Sequence, residues 1–82
     1  MVIAEFHPNF QKIFSKIKDN SLKEKIMKQF SKIKNNPEIG KPMGNVRKGT
    51  REVYISPFRL SYAYLKSEDK IIFLDLYHKD EQ

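Results

Sequence analysis

The succession of apolar repeats predicts an α+β domain of order β-α-α-β-β-β, with a helix hairpin packed on one face of a small antiparallel sheet. Residues 51–78 read as strands joined by tight turns, residues 10–33 carry apolar stripes at helical spacing, and a short alternating segment precedes them. The 82 residues make a single domain, 1–82, because a second core would not fit.

Val2-Ile3-Ala4-Glu5-Phe6 alternates as a first strand, with Val2, Ala4 and Phe6 on one side. It is expected to add to the sheet edge, with a partner that pattern does not decide. His7-Pro8 changes the period, since proline suits the first position of a helix, and His7 reads as a helix-entry residue. Phe10, Ile13, Phe14 and Ile17 then recur as one stripe, and Asp19-Asn20 ends that helix. Ser21-Leu22-Lys23-Glu24 has the form of a capping box. The second helix places Leu22, Ile26, Met27, Phe30 and Ile33 on one stripe and stops near Asn35-Asn36-Pro37. Residues 38–49 hold every glycine of the chain and read as a loop, with Arg47-Lys48 at a basic tip.

Strands are expected at 51–56, 58–66 and 70–78, with turns at Ser56-Pro57 and Ser67-Glu68-Asp69. Short turns make antiparallel neighbours, and alternation gives the meander two faces. Val53, Ile55, Phe58, Leu60, Tyr62, Tyr64, Ile72, Leu74 and Leu76 form the core face. Glu52, Tyr54, Arg59, Ser61, Ala63, Phe73, Asp75, Tyr77 and Lys79 form the other. If each hairpin closes symmetrically, Arg59 lies between Tyr54 and Tyr77. An arginine so flanked in a central strand marks the outer face as a candidate site.

The net charge is +6, with 16 Lys+Arg against 10 Asp+Glu. Between Phe10 and Asn36 eight lysines face only Asp19 and Glu24, so the helical layer is cationic and suits a polyanionic partner. The same lysines also read as a solvated face. The absence of cysteine excludes disulfides, cysteine-based zinc sites and thiol catalysis. Two distant histidines and scattered carboxylates offer no ligand cluster, so neither a metal nor a cofactor is expected. No apolar run approaches the roughly 20 residues that span a bilayer, and no charged-then-apolar leader opens the chain. A cytoplasmic protein without a membrane partner is the expectation.

The stretch from Lys25 to Lys79 resembles the RelE/ParE superfamily of toxins from type II toxin–antitoxin systems. The likeness rests on the lysine-rich second helix closing on Asn36-Pro37 and on the Lys41-Pro42-Met43 loop. It continues through the strands Arg51-Glu52-Val53-Tyr54-Ile55 and Phe58-Arg59-Leu60-Ser61-Tyr62 to Tyr77-His78-Lys79. The resemblance implies the RelE-like microbial RNase fold and, for the RelE branch, an mRNA interferase acting at the ribosome without metal. It also implies a cognate antitoxin protein that neutralises it. Arg59 matches the family arginine of the central strand, His78 the family histidine, and Lys79 the closing arginine, a replacement that loses bidentate phosphate contact. Glu52 and Tyr54 stand where well-studied relatives carry lysines and Tyr77 where a glycine is common, and the closing tail with a catalytic tyrosine is not expected here.

Cleavage of RNA by its own 2′-OH needs a base, a cation for the dianionic transition state and an acid for the 5′-oxygen. Arg59 and Lys79 could supply charge, joined by Arg47, Lys48 and Arg51 as RNA-binding cations. Proton carriers could be His78, Tyr77, Tyr54 or Glu52, and either tyrosine could instead stack on a base. Each has a structural alternative: Arg59 pairs with Glu52 or Asp75, His78 falls on the core parity, and the tyrosines pack. Two rival functions follow, a catalytically eroded binding protein of the same fold and a ParE-like gyrase inhibitor.

Overall fold

A computed structural model describes residues 2–42 and 49–78. The elements are β1 (Ile3–Phe6), α1 (Pro8–Ser15), α2 (Asn20–Asn35), β2 (Lys41–Pro42), β3 (Thr50–Ile55), β4 (Phe58–Leu65) and β5 (Lys70–His78). They form one sheet of order β1-β5-β4-β3-β2, with both helices on one face. All neighbours are antiparallel except β1 and β5, which run parallel from Ile3↔Lys70 to Phe6↔Phe73. The first strand thus finds its partner in the last.

Local chemistry sets the helix ends. His7 caps α1, its Nδ1 accepting from the Asn9 N–H at 3.0 Å, and Pro8 occupies the first turn. α1 is shorter than expected: it ends at Ser15, and Lys16 and Ile17 donate to Ile13 and Phe14 carbonyls in tighter turns. The cap of α2 is Asp19, whose carboxylate accepts from the Ser21 and Leu22 N–H groups at 2.9 and 3.3 Å. The expected box beginning at Ser21 is therefore displaced by a carboxylate two residues earlier, which also suits the positive end of the helix dipole. Ile26 and Ile33 are fully buried, but Met27 is 56% exposed. It lies a hundred-degree step round the helix from Ile26 and faces away from the sheet.

The core centres on a phenylalanine cluster. Phe73 of β5 touches Phe30 of α2 at a ring-centroid distance of 4.5 Å and Phe6 of β1 at 5.3 Å, with Phe10 at 6.1 Å. This corrects the face assignment, which had Phe73 outside and Ile72 and Leu74 inside. Up to Ser61↔Asp75 the β4–β5 register is as expected, but Tyr62 then pairs with Phe73, leaving Leu74 as an extra residue. That β-bulge inverts the parity of the first half of β5. Ile71 and Phe73 become fully buried while Ile72 and Leu74 are only partly covered. Burying a phenylalanine is worth roughly 1.5–3 kcal/mol, so the larger ring goes inside.

The segment 37–42 is more than a loop. Lys41 and Pro42 pair with Glu52 and Arg51 as β2, an edge strand where proline's missing donor costs nothing. Tyr62, fully buried, donates its hydroxyl to the Pro37 carbonyl at 2.8 Å and accepts from the Gly40 N–H at 2.9 Å. Gly40 is needed there, because a Cβ would lie 2.6 Å from that hydroxyl. Arg51 completes the clasp, its Nη1 donating to the Glu38 and Gly40 carbonyls at 3.0 and 2.8 Å.

Tyr62→Phe should cost about 1–3 kcal/mol in urea unfolding, since a buried N–H and a carbonyl lose their partner together. Burial pushes the Tyr62 phenol above its usual 10.0, against the opposing effects of the Gly40 N–H and the Arg51 charge. A raised folded pKa means stability is intact below the unfolded value and lost as pH climbs through the folded one. The gap between the native chain and Tyr62→Phe should therefore narrow above pH 10. A gap constant to the highest accessible pH would contradict the burial of this phenol.

Candidate functional site

Ladder pairing builds two rows of side chains across the sheet face that the helices leave open. Tyr54 of β3, Arg59 of β4 and Tyr77 of β5 lie directly opposite one another, as the sequence predicts. The neighbouring row runs Lys41, Glu52, Ser61, Asp75 across β2 to β5. Directly opposed residues share a face, so Lys41 belongs to this site. It was missed because a two-residue strand inside a glycine- and proline-rich segment has no periodicity to read.

Glu52 holds the two rows together. Its Oε1 accepts from Arg59 Nη1 at 2.7 Å, and its Oε2 accepts from the Tyr77 hydroxyl. The second bond starts on β5 and ends on β3, so it passes over β4 and covers Ser61, which is 0% exposed. The Glu52 side chain is only 10% exposed, whereas that of Arg59 is 36% exposed. The Arg59 guanidinium lies 5.9 Å from the Tyr54 ring centre, a cation–π contact, and Tyr54 itself is half exposed. The Glu52 hydrogen bond, partly offset by burial, raises Arg59 above its already high pKa, so its charge is permanent. Asp75 turns to the N–H of Leu76 at 2.8 Å and gives Arg59 no ion pair within 4 Å. Among the described residues, Arg59 Nε and Ser61 Oγ are buried without a hydrogen-bond partner.

The remaining sequence-predicted residues do not join this cluster. Arg51 opposes Tyr62 on the inner face and is occupied by the carbonyls of residues 38 and 40, which corrects its expected place beside Arg59. His78 shares the side of Leu76, its ring edge-on to Phe58 at 5.6 Å, and so stands behind the sheet from Arg59. Lys79, Arg47 and Lys48 lie outside the described residues. What the geometry assembles is one permanent cation, two phenols and an exposed lysine around a carboxylate. Such a face can bind an anion and move a proton through a phenol. No group of three or more metal-ligating side chains occurs among the described residues. No helix among them is long and apolar enough to cross a membrane.

Comparison with known proteins adds three findings. A protein-family model described as the ParE toxin of the type II toxin–antitoxin system parDE matches residues 4–82. A search of curated protein sequences returned no match. Among solved structures, the chain is similar to a chain of the intact Escherichia coli RelBE toxin–antitoxin complex, with a TM-score of 0.83 at 14% identity over 95% of this chain and 96% of that one. It is also similar to a chain of the Mycobacterium tuberculosis RelBE2 toxin–antitoxin complex, with a TM-score of 0.81 at 19% identity over 95% and 98% of the two chains. A conserved hypothetical protein from Helicobacter pylori gives a TM-score of 0.66 at 25% identity, covering 99% and 98%. The expected fold is the observed one.

The bridge over β4 is testable by a double-mutant cycle. Glu52→Gln and Tyr77→Phe should show a coupling of about 1–2 kcal/mol in urea unfolding. Additive effects would mean that the two side chains do not meet in solution.

Proposed function

The chain belongs to the ParE toxin family of type II toxin–antitoxin systems, and from that premise we propose that it is a RelE-like mRNA interferase, held inactive by a cognate antitoxin. The observation that carries this reading is the row Tyr54–Arg59–Tyr77 on the open face of the sheet, a fixed cation between two phenols. In the reaction, the RNA 2′-hydroxyl gives up its proton to solvent water as its oxygen attacks the adjacent phosphorus, and the bond to the 5′-oxygen breaks, giving a cyclic phosphate and a 5′-hydroxyl. Arg59 stabilises the charge that develops on the phosphate oxygens. Tyr77, beside it, donates the proton that the 5′-oxygen needs. Tyr54, half exposed, offers a stacking surface for an unpaired base. His78 takes no part, because it lies on the opposite side of β5. The lysines of α1 and α2 add salt-sensitive attraction for ribosomal or messenger phosphates without reading sequence. Partnership with an antitoxin is supported by the complexes in which two of the structural relatives were solved.

A second reading is favoured by Glu52. If the Arg59–Glu52 pair is permanent, the face is nearly neutral and better suited to a protein target, as in a ParE-like gyrase inhibitor or an eroded binding protein.

Regulated expression in a bacterial host separates the readings. The interferase reading predicts growth arrest, blocked translation and new mRNA 3′ ends inside translated frames, with Arg59→Ala lowering cleavage on the order of 100-fold. Arrest with DNA damage and intact mRNA would establish the gyrase reading instead. Normal growth from folded, soluble protein would leave only the binding protein.

A further inference from the structure

Glu52 is the least expected feature of the open face: an anion at the centre of an anion site. Its carboxylate takes hydrogen bonds from Arg59 Nη1 at 2.7 Å and from the Tyr77 hydroxyl. These are the donors that a phosphodiester would need. A carboxylate and a phosphate present the same pair of oxygens to an arginine, so the two compete for one position. Arg59 Nε is buried without a partner among the described residues, so the guanidinium is not saturated by Glu52. The Arg59 side chain is 36% exposed, so a larger anion reaches the guanidinium from the open face.

Displacing a carboxylate from a covered ion pair is costly if it is left alone. The sheet supplies an alternative. Lys41 lies directly opposite Glu52 on the neighbouring edge strand and on the same face, and its side chain is exposed. Directly opposed Cβ atoms stand about 4.5–5.5 Å apart, within easy reach of an ion pair between glutamate and lysine. A rotamer change thus carries Glu52 from the central arginine to the rim lysine while it keeps a cation.

We propose that Glu52 is an internal stand-in for a nucleic-acid phosphate, and that binding a phosphodiester at Arg59 moves Glu52 across to Lys41. The site is closed to weak anions and opens to a polyanion that also engages the surrounding cations. This rests on the reading of the open face as a nucleic-acid surface, but it concerns binding and requires no cleavage.

The test uses a short single-stranded oligodeoxynucleotide, which lacks the 2′-OH and cannot be cut by this chemistry, titrated into the full-length chain by fluorescence anisotropy. Glu52→Gln removes the charge, keeps one acceptor oxygen for Arg59 and turns an NH2 donor toward Tyr77; it should bind about tenfold tighter than the native chain. Glu24→Gln, the same charge change on an exposed site of α2, should gain much less. Adding Arg59→Ala to Glu52→Gln should abolish the gain. Lys41→Met should weaken binding when Glu52 is present and have little effect beside Glu52→Gln. Equal gains from Glu52→Gln and Glu24→Gln would overturn the proposal, as would a gain that survives loss of Arg59. A Lys41→Met effect independent of Glu52 would overturn the transfer, making Lys41 a plain phosphate contact. If the oligonucleotide results hold while expression cuts no mRNA, the interferase reading fails and the Glu52 device stands.

Discussion

The extra residue in β5 at Leu74 is the constraint on which both halves of the molecule depend. β5 must deliver Phe73 to the phenylalanine cluster under the helices and Tyr77 to the open face beside Arg59. Those positions are four residues apart, and strict alternation would send both to the same side. The bulge breaks the parity between them. Before it, Ile71 and Phe73 point into the core; after it, Leu76 does, while Asp75 and Tyr77 face outward. Core packing and site geometry are thereby reconciled within a single strand.

The open face is then governed by electrostatics. Glu52 is covered, accepts from a guanidinium and a phenol, and bridges across β4. A carboxylate so held fixes the rotamers of Arg59 and Tyr77, which preorganises them, and at the same time neutralises the cation they surround. On the opposite face of the same strands, polar groups serve the fold. Arg51 and Tyr62 spend their polar atoms on the main chain of residues 37–40, pinning the segment that leads into β2. Two arginines on one strand pair thus acquire different roles from the face each occupies.

Much of this was legible in the sequence because tight turns fix register. Ser56-Pro57 aligns Tyr54 with Arg59, and the second hairpin brings Tyr77 alongside, so the central row followed from alternation. The helix stripes and the His7-Pro8 entry were equally plain. The bulge was not, because Ile71-Ile72-Phe73-Leu74 is apolar at every position and carries no parity signal. The cap of α2 was misplaced because Asp19, Asn20 and Ser21 are all good caps, and only the structure shows which oxygen accepts. β2, and with it Lys41, was hidden in a segment whose composition says loop. Arg51 was assigned to the site on charge, but its parity places it on the inner face with Val53.

The central claim is that the open face around Arg59 is the seat of nucleic-acid binding, to which the cationic helices add only unspecific attraction. NMR shift mapping of the isotope-labelled chain with a 2′-O-methylated RNA, which resists self-attack, tests it most directly. The account predicts that the largest shifts fall on Lys41, Glu52, Tyr54, Arg59 and Tyr77, including the Arg59 Nε–H signal. Shifts confined to the lysine-bearing turns of α1 and α2, with the sheet residues unmoved, would contradict it.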